Sequence, residues 1–76
     1  MNNVRRKAIR ELEQELEALK SRIEDVRGEE QEYLDNIPES LQQSERATLA
    51  EEAVNSLEDA FNSLEEAVES LRAAAE

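Results

Sequence analysis

Cysteine, histidine and tryptophan are absent from this 76-residue chain, and glycine and proline occur once each. Tyr33 and Phe61 are its only aromatic residues. Each absence removes a class of function. Without Cys or His there is no thiolate nucleophile, no disulfide frame, no zinc-finger ligand set and no imidazole base. No apolar run approaches the roughly 20 residues that a membrane span needs, and no signal-peptide core follows the basic start, so no membrane partner is expected. One Gly and one Pro leave almost no loop material. A chain this short has room for one small domain and rarely builds a self-sufficient core, so a partner is expected.

What the chain has is charge and period. Charged residues make up 38% of it, 20 acids against 9 bases, for a formal net charge of −11. Ile9, Leu12, Leu16, Leu19, Ile23 and Val26 follow one another in a 3-4 alternation. In heptad terms Ile9, Leu16 and Ile23 take a, and Leu12, Leu19 and Val26 take d, which is a coiled-coil seam. Glu30 and Tyr33 take the next a and d sites, so the stripe weakens shortly after Gly28. A Gly inside a helix costs about 1 kcal/mol relative to Ala, and the helix is expected to continue past it.

The second half is a plainer repeat. Val54, Phe61, Val68 and Ala75 take a; Leu57, Leu64 and Leu71 take d; Ala53, Ala60, Ala67 and Ala74 fill g. A sustained period of seven means a second long helix with a seam. Pro38 disfavours helical backbone at Ile37 and has no N–H to donate, so the first helix should end by Asp35 or Asn36. Ser44 is the expected N-cap of the second helix, with Thr48 and Glu51 as a second capping-box candidate and Ser40 with Gln43 as a cap within the loop. The expected fold class is all-α: a single antiparallel two-helix hairpin domain over residues 1–76, with helices at about 4–35 and 45–74 and a turn at about 36–44.

Charge supports the hairpin. Residues 1–10 hold Arg5, Arg6, Lys7 and Arg10 and no acid, whereas residues 28–76 sum to −12. Each helix is therefore charged against its own dipole, and an antiparallel pair offsets this by laying the basic start beside the acidic end. With the turn centred near Ser40, Ile9 lies across from Leu71, Leu16 from Leu64 and Ile23 from Leu57. Leu12 then meets Val68, Leu19 meets Phe61, and Val26 meets Val54. At the e sites Lys20 and Arg27 face the row Glu51, Glu58 and Glu65, and Glu13 can reach Arg72. Glu30 falls opposite Ala50, where the seam is expected to open to water. The Ala row at g widens the apolar stripe beyond what one neighbour covers. Self-association is therefore expected, as a homodimer forming a four-helix bundle with Ala53, Ala60, Ala67 and Ala74 at the interface.

No catalytic constellation emerges, so the chain reads as a non-enzyme without a cofactor or metal. Paired carboxylates on an exposed helix face are solvated charge. The di-iron pattern of helical bundles needs Glu-x-x-His, and the loop lacks the spaced acids and central Gly of a calcium hand. The cluster Arg5, Arg6, Lys7 and Arg10 lacks an accompanying aromatic and sits on a polyanionic chain, so pairing with the acidic end of the second helix is favoured over nucleic-acid binding. Two surfaces remain as candidates for a protein partner. One is the acidic f row Glu52, Asp59 and Glu66, which imitates the charge of a nucleic acid and would be steered toward a basic groove. The other is the turn, where Tyr33, Ile37 and Leu41 place apolar groups beside Gln42, Ser44 and Arg46. The plain alternative for the turn is that its apolar members cap the hairpin core.

The run Glu29-Glu30-Gln31-Glu32-Tyr33-Leu34-Asp35-Asn36-Ile37-Pro38-Glu39-Ser40-Leu41-Gln42-Gln43-Ser44-Glu45-Arg46, with the Glu-Glu-Ala-Val and Leu-Glu-Asp-Ala repeats after it, resembles a family of small acidic α-helical proteins encoded by phages and integrative elements of Gram-positive bacteria. The similarity spans roughly residues 25–72, and the turn is its specific part. The resemblance implies a mobile-element accessory protein in the bacterial cytoplasm, with a host-defence inhibitor as the analogous role. It carries over no site residue. Two alternatives stand beside it. The first is an oligomeric sponge for a small anionic nucleotide, held by Arg46 with Gln42 and Ser44 or by Arg5, Arg6 and Arg10 of apposed chains. The second is a purely structural coil, indifferent to charge reversal at Glu52, Asp59 and Glu66.

Overall fold

The computed structural model describes residues 2–76. Two helices, α1 (Asn3–Asp35) and α2 (Glu45–Ala75), flank a single 3-10 turn at Glu39–Leu41. They lie side by side as a rod of 60 × 14 × 12 Å, and their expected bounds hold to within one residue. No helix among the described residues is long and apolar enough to cross a membrane.

Each end of the helices follows from local chemistry. The Asn2 side chain accepts from the Arg5 N–H at 2.8 Å and caps α1. At the far end the N–H groups of Asn36 and Ile37 donate to the carbonyls of Glu32 and Leu34, and Pro38 then turns the chain out in an extended conformation. Ser44 caps α2 by accepting from the Ala47 N–H at 3.3 Å, as expected. The other two cap candidates serve differently. The Thr48 hydroxyl donates back to the Ser44 carbonyl at 3.2 Å from inside the helix. Ser40 sits in the middle of the 3-10 turn, whose N-cap Pro38 offers no side-chain bond. Gly28 is helical, and a Cβ added there would meet no neighbouring atom within 4 Å.

The seam departs from the expected layers in one respect. On α2 the a and d rows face the partner: Ala47, Ala50, Val54, Val68 and Ala75 are buried, and Leu57, Phe61, Leu64 and Leu71 are half-buried. On α1 the a row is half-buried, but the d row is not covered: Leu12 is 49%, Leu19 43%, Val26 50% and Tyr33 44% exposed. The e row takes its place. Side chains of Lys20, Glu13 and Arg27 keep only 13%, 23% and 26% of their exposure. The Lys20 ammonium lies 5.0 Å from the centre of the Phe61 ring, in the layer where Leu19 was expected. Long stems that bury their methylenes while their charges reach α2 roll α1 toward its e edge. The expected e-edge contacts form in part: Arg72 reaches Glu13 at 3.0 Å, and Glu17 at 3.1 Å, and Arg27 reaches Glu58 at 3.8 Å, whereas Lys20 pairs with Glu17 of its own helix at 3.7 Å and not with the Glu51, Glu58 and Glu65 row. Hydrogen bonding to Glu13 is the main cause that raises the Arg72 pKa above its ordinary value.

Candidate binding groove at the turn

The turn brings together most of the residues singled out there. Tyr33, Ile37, Leu41, Ser44 and Arg46 line an open groove of about 650 Å³, with Pro38 between them. A second groove of about 400 Å³ shares Tyr33 and Arg46 and extends along the helices past Leu49 and Ala50. Glu30 lines this second groove with Ala50, as the register predicts, and it is half-buried at an open edge.

The apolar members divide between two tasks. Ile37 is 8% exposed and plugs the end of the hairpin. Leu41 stays 51% exposed and Tyr33 44% exposed, so these two do not cap the core. The 3-10 turn holds Leu41 outward, because Leu41, Gln42 and Ser44 each donate an N–H to a carbonyl three residues back. The Gln42 amide donates to the Ile37 carbonyl at 2.6 Å and clamps the two sides of the turn. That amide uses one of its two N–H donors on the clamp, and the Ser44 hydroxyl oxygen accepts from the α2 backbone, so each has one donor left beside Arg46. Arg46 is, however, the only base among six acids over residues 28–46. The turn is thus an apolar groove in an acidic field, which disfavours an anion there.

Glu52, Asp59 and Glu66 are exposed on α2 and stand apart from the groove, one heptad or about 10 Å from each other along the axis. Ala53 and Ala67 are half-buried, and Ala60 and Ala74 are exposed. The basic cluster does not pair as expected. Among the described residues, no ion pair includes Arg5, Arg6, Lys7 or Arg10, and the Arg6 Nε is shielded from solvent without an acceptor. Glu69 and Glu66 occupy the b and f rows of α2, turned away from α1. Asn36 and Glu45 are groove residues that sequence reasoning missed. Their only signal was adjacency to Pro38 and to the Ser44 cap. No protein-family model, no curated protein and no solved structure matches the chain.

Proposed function

We propose that this chain works by binding and not by catalysis, as an acidic helical hairpin that occupies the basic surface of a nucleic-acid-handling protein. The observation that supports this most is the turn end. There an open apolar groove, with Leu41 and Tyr33 held outward, sits within six acids and one base. A basic protein surface carrying an apolar knob is its complement. Acidic charge speeds the encounter, and the desolvated apolar contact supplies the affinity. The exposed row Glu52, Asp59 and Glu66 extends the same field along the rod. The resemblance of the turn segment to phage accessory proteins adds a context: a mobile-element protein that blocks a host defence factor in the bacterial cytoplasm.

The test is competition. Partners captured from a bacterial lysate on the tagged chain are screened for nucleic-acid binding, and the chain is then titrated against that binding. The expected partner is basic, releases its nucleic acid as the chain is added, and is lost at high salt. Leu41→Asp should abolish capture while leaving the helical spectrum intact. Capture that resists salt and survives triple charge reversal at Glu52, Asp59 and Glu66 would remove the acidic-surface mechanism.

A further inference from the structure

The cross-helix ion pairs define two edges of the hairpin. Glu13, Arg72, Arg27 and Glu58 are all e sites, so the e edges of both helices lie together. In an antiparallel pair the g edges then lie together on the opposite side. Tyr33 and Leu49 fall on that side and line one groove, which places the d row of α1 beside the g and c rows of α2. Along this face run Leu12, Leu19, Val26 and Tyr33, half-exposed, next to the Ala row of α2. The c row beyond it is Leu49, Ser56, Ser63 and Ser70. From Ala47 to the end of α2, these g and c rows contain no charged residue.

Area and charge indicate what covers this face. A compact monomer of 8.7 kDa exposes about 4,700 Å². This chain exposes 5744 Å², a surplus of about 1,000 Å², and a standard interface buries about 800 Å² per partner. Two copies of a chain of net charge −11 repel each other on average, and α2 keeps charge off this surface. The two ends of the rod differ in sign. Residues 2–10 and 66–76 together hold five bases and three acids, whereas residues 28–46 hold one base and six acids. Neither Arg5, Arg6, Lys7 and Arg10 nor the acids of the turn segment form an ion pair within the chain, among the described residues.

We propose that a second copy of this chain docks on the Leu12–Leu19–Val26–Tyr33 face in reversed orientation, closing a four-helix bundle in which each basic open end lies beside the other's acidic turn. Two-fold symmetry then sets α1 against α1 and α2 against α2. Leu19 faces the other Val26, Leu12 faces the other Tyr33, and the Ala rows allow the two α2 helices to approach closely. Arg5, on the same d row, runs on toward the partner's turn. The same-sense alternative would place turn against turn and basic end against basic end. The interface meets the turn groove proposed above at Tyr33 but uses neither Leu41 nor the Glu52, Asp59 and Glu66 row, so either proposal can fail alone.

The experiment is sedimentation equilibrium on the full chain, with circular dichroism on the same samples. The expected mass is twice 8.7 kDa at high micromolar concentration. Ala60→Glu, at a site exposed in the single hairpin, should weaken association at least about tenfold with the helical signal retained. Glu52→Gln, on the far edge, should leave it unchanged. Because the chain has no cysteine, Ser40→Cys gives a single labelling site at the turn. In the reversed bundle the two labels should lie apart by a distance near the 60 Å length of the rod. A monomer at every concentration, or association indifferent to Ala60→Glu, would overturn the docking face. A short label-to-label distance would overturn the orientation.

Discussion

α1 and α2 carry the same 3-4 repeat over nearly equal lengths, 33 and 31 residues, yet α2 buries five residues and α1 buries none. Their flanking residues make the difference. On α2 the a and d rows are bordered by alanine at g, so the apolar stripe is broad and short, and the backbone of a neighbour can come close. On α1 the a row is bordered at e by Glu13, Lys20 and Arg27, whose long stems lie across α2 and hold the helix rolled to that side. A heptad pattern therefore places an apolar stripe on a helix, but its borders decide which part of the stripe is used. One helix supplies the core of the hairpin, and the other leaves half of its stripe for something else.

The sharpest way to break the contrast is one charge placed on each helix. Val68 is 1% exposed, so Val68→Asp buries an unpaired carboxylate and should cost at least about 3 kcal/mol, enough to abolish the cooperative unfolding transition. Leu19→Asp removes a side chain that is already 43% exposed and should cost about 1–2 kcal/mol in dilute solution. Equal losses for the two variants in urea titrations would show that α1 uses its d row within the single hairpin.

That contrast also marks how far the sequence could be read. Pro38 and the Ser44 cap located both helices and the turn, and the antiparallel sense came from the opposed charge of the two chain ends and the pairing of a sites with d sites. The pairs Glu13–Arg72 and Arg27–Glu58 followed from e sites meeting e sites. The roll of α1 was hidden because the a-d and a-e faces of a helix differ by only about 50°. Lys20 and Arg27 also look like surface residues until their stems are seen to be covered. At the turn, composition could not separate Ile37, which plugs the core, from Leu41, which projects from it. That division is made by the 3-10 hydrogen bonds and by the Gln42 amide on the Ile37 carbonyl. The basic cluster failed to find the acidic end of α2 because charge totals ignore azimuth.

The two helices should also differ in their response to cap removal. Ser44→Ala takes the acceptor from the Ala47 N–H at the start of the helix that holds the core, and should cost about 1 kcal/mol. Asn2→Ala should lower the melting temperature less, because an end can fray locally without opening the seam. Gly28→Ala tests α1 with the opposite sign. The added methyl meets no neighbour, so the gain of about 1 kcal/mol in helix propensity should appear in full as a higher melting temperature. A loss of stability there would mean that the open space beside Gly28 is filled by a partner helix.

The smallest expected effect belongs to the charged edge. Arg72 is tied to Glu13 and Glu17 but stays more than half exposed, so Arg72→Gln should lower the melting temperature only slightly at low salt. The loss should vanish as salt screens the pair, whereas the Val68→Asp defect should persist. The sign of the pKa shift fixes the pH dependence. A base whose pKa is raised on folding contributes stability that is present below its ordinary value and is lost only as pH climbs past the raised one. For an arginine both values lie above the neutral range, so the difference in melting temperature between wild type and Arg72→Gln should stay flat across neutral pH. A difference that fell steadily between mildly acidic and mildly basic solution would mean that another titrating group, and not this guanidinium, controls the edge where the two helices exchange charge.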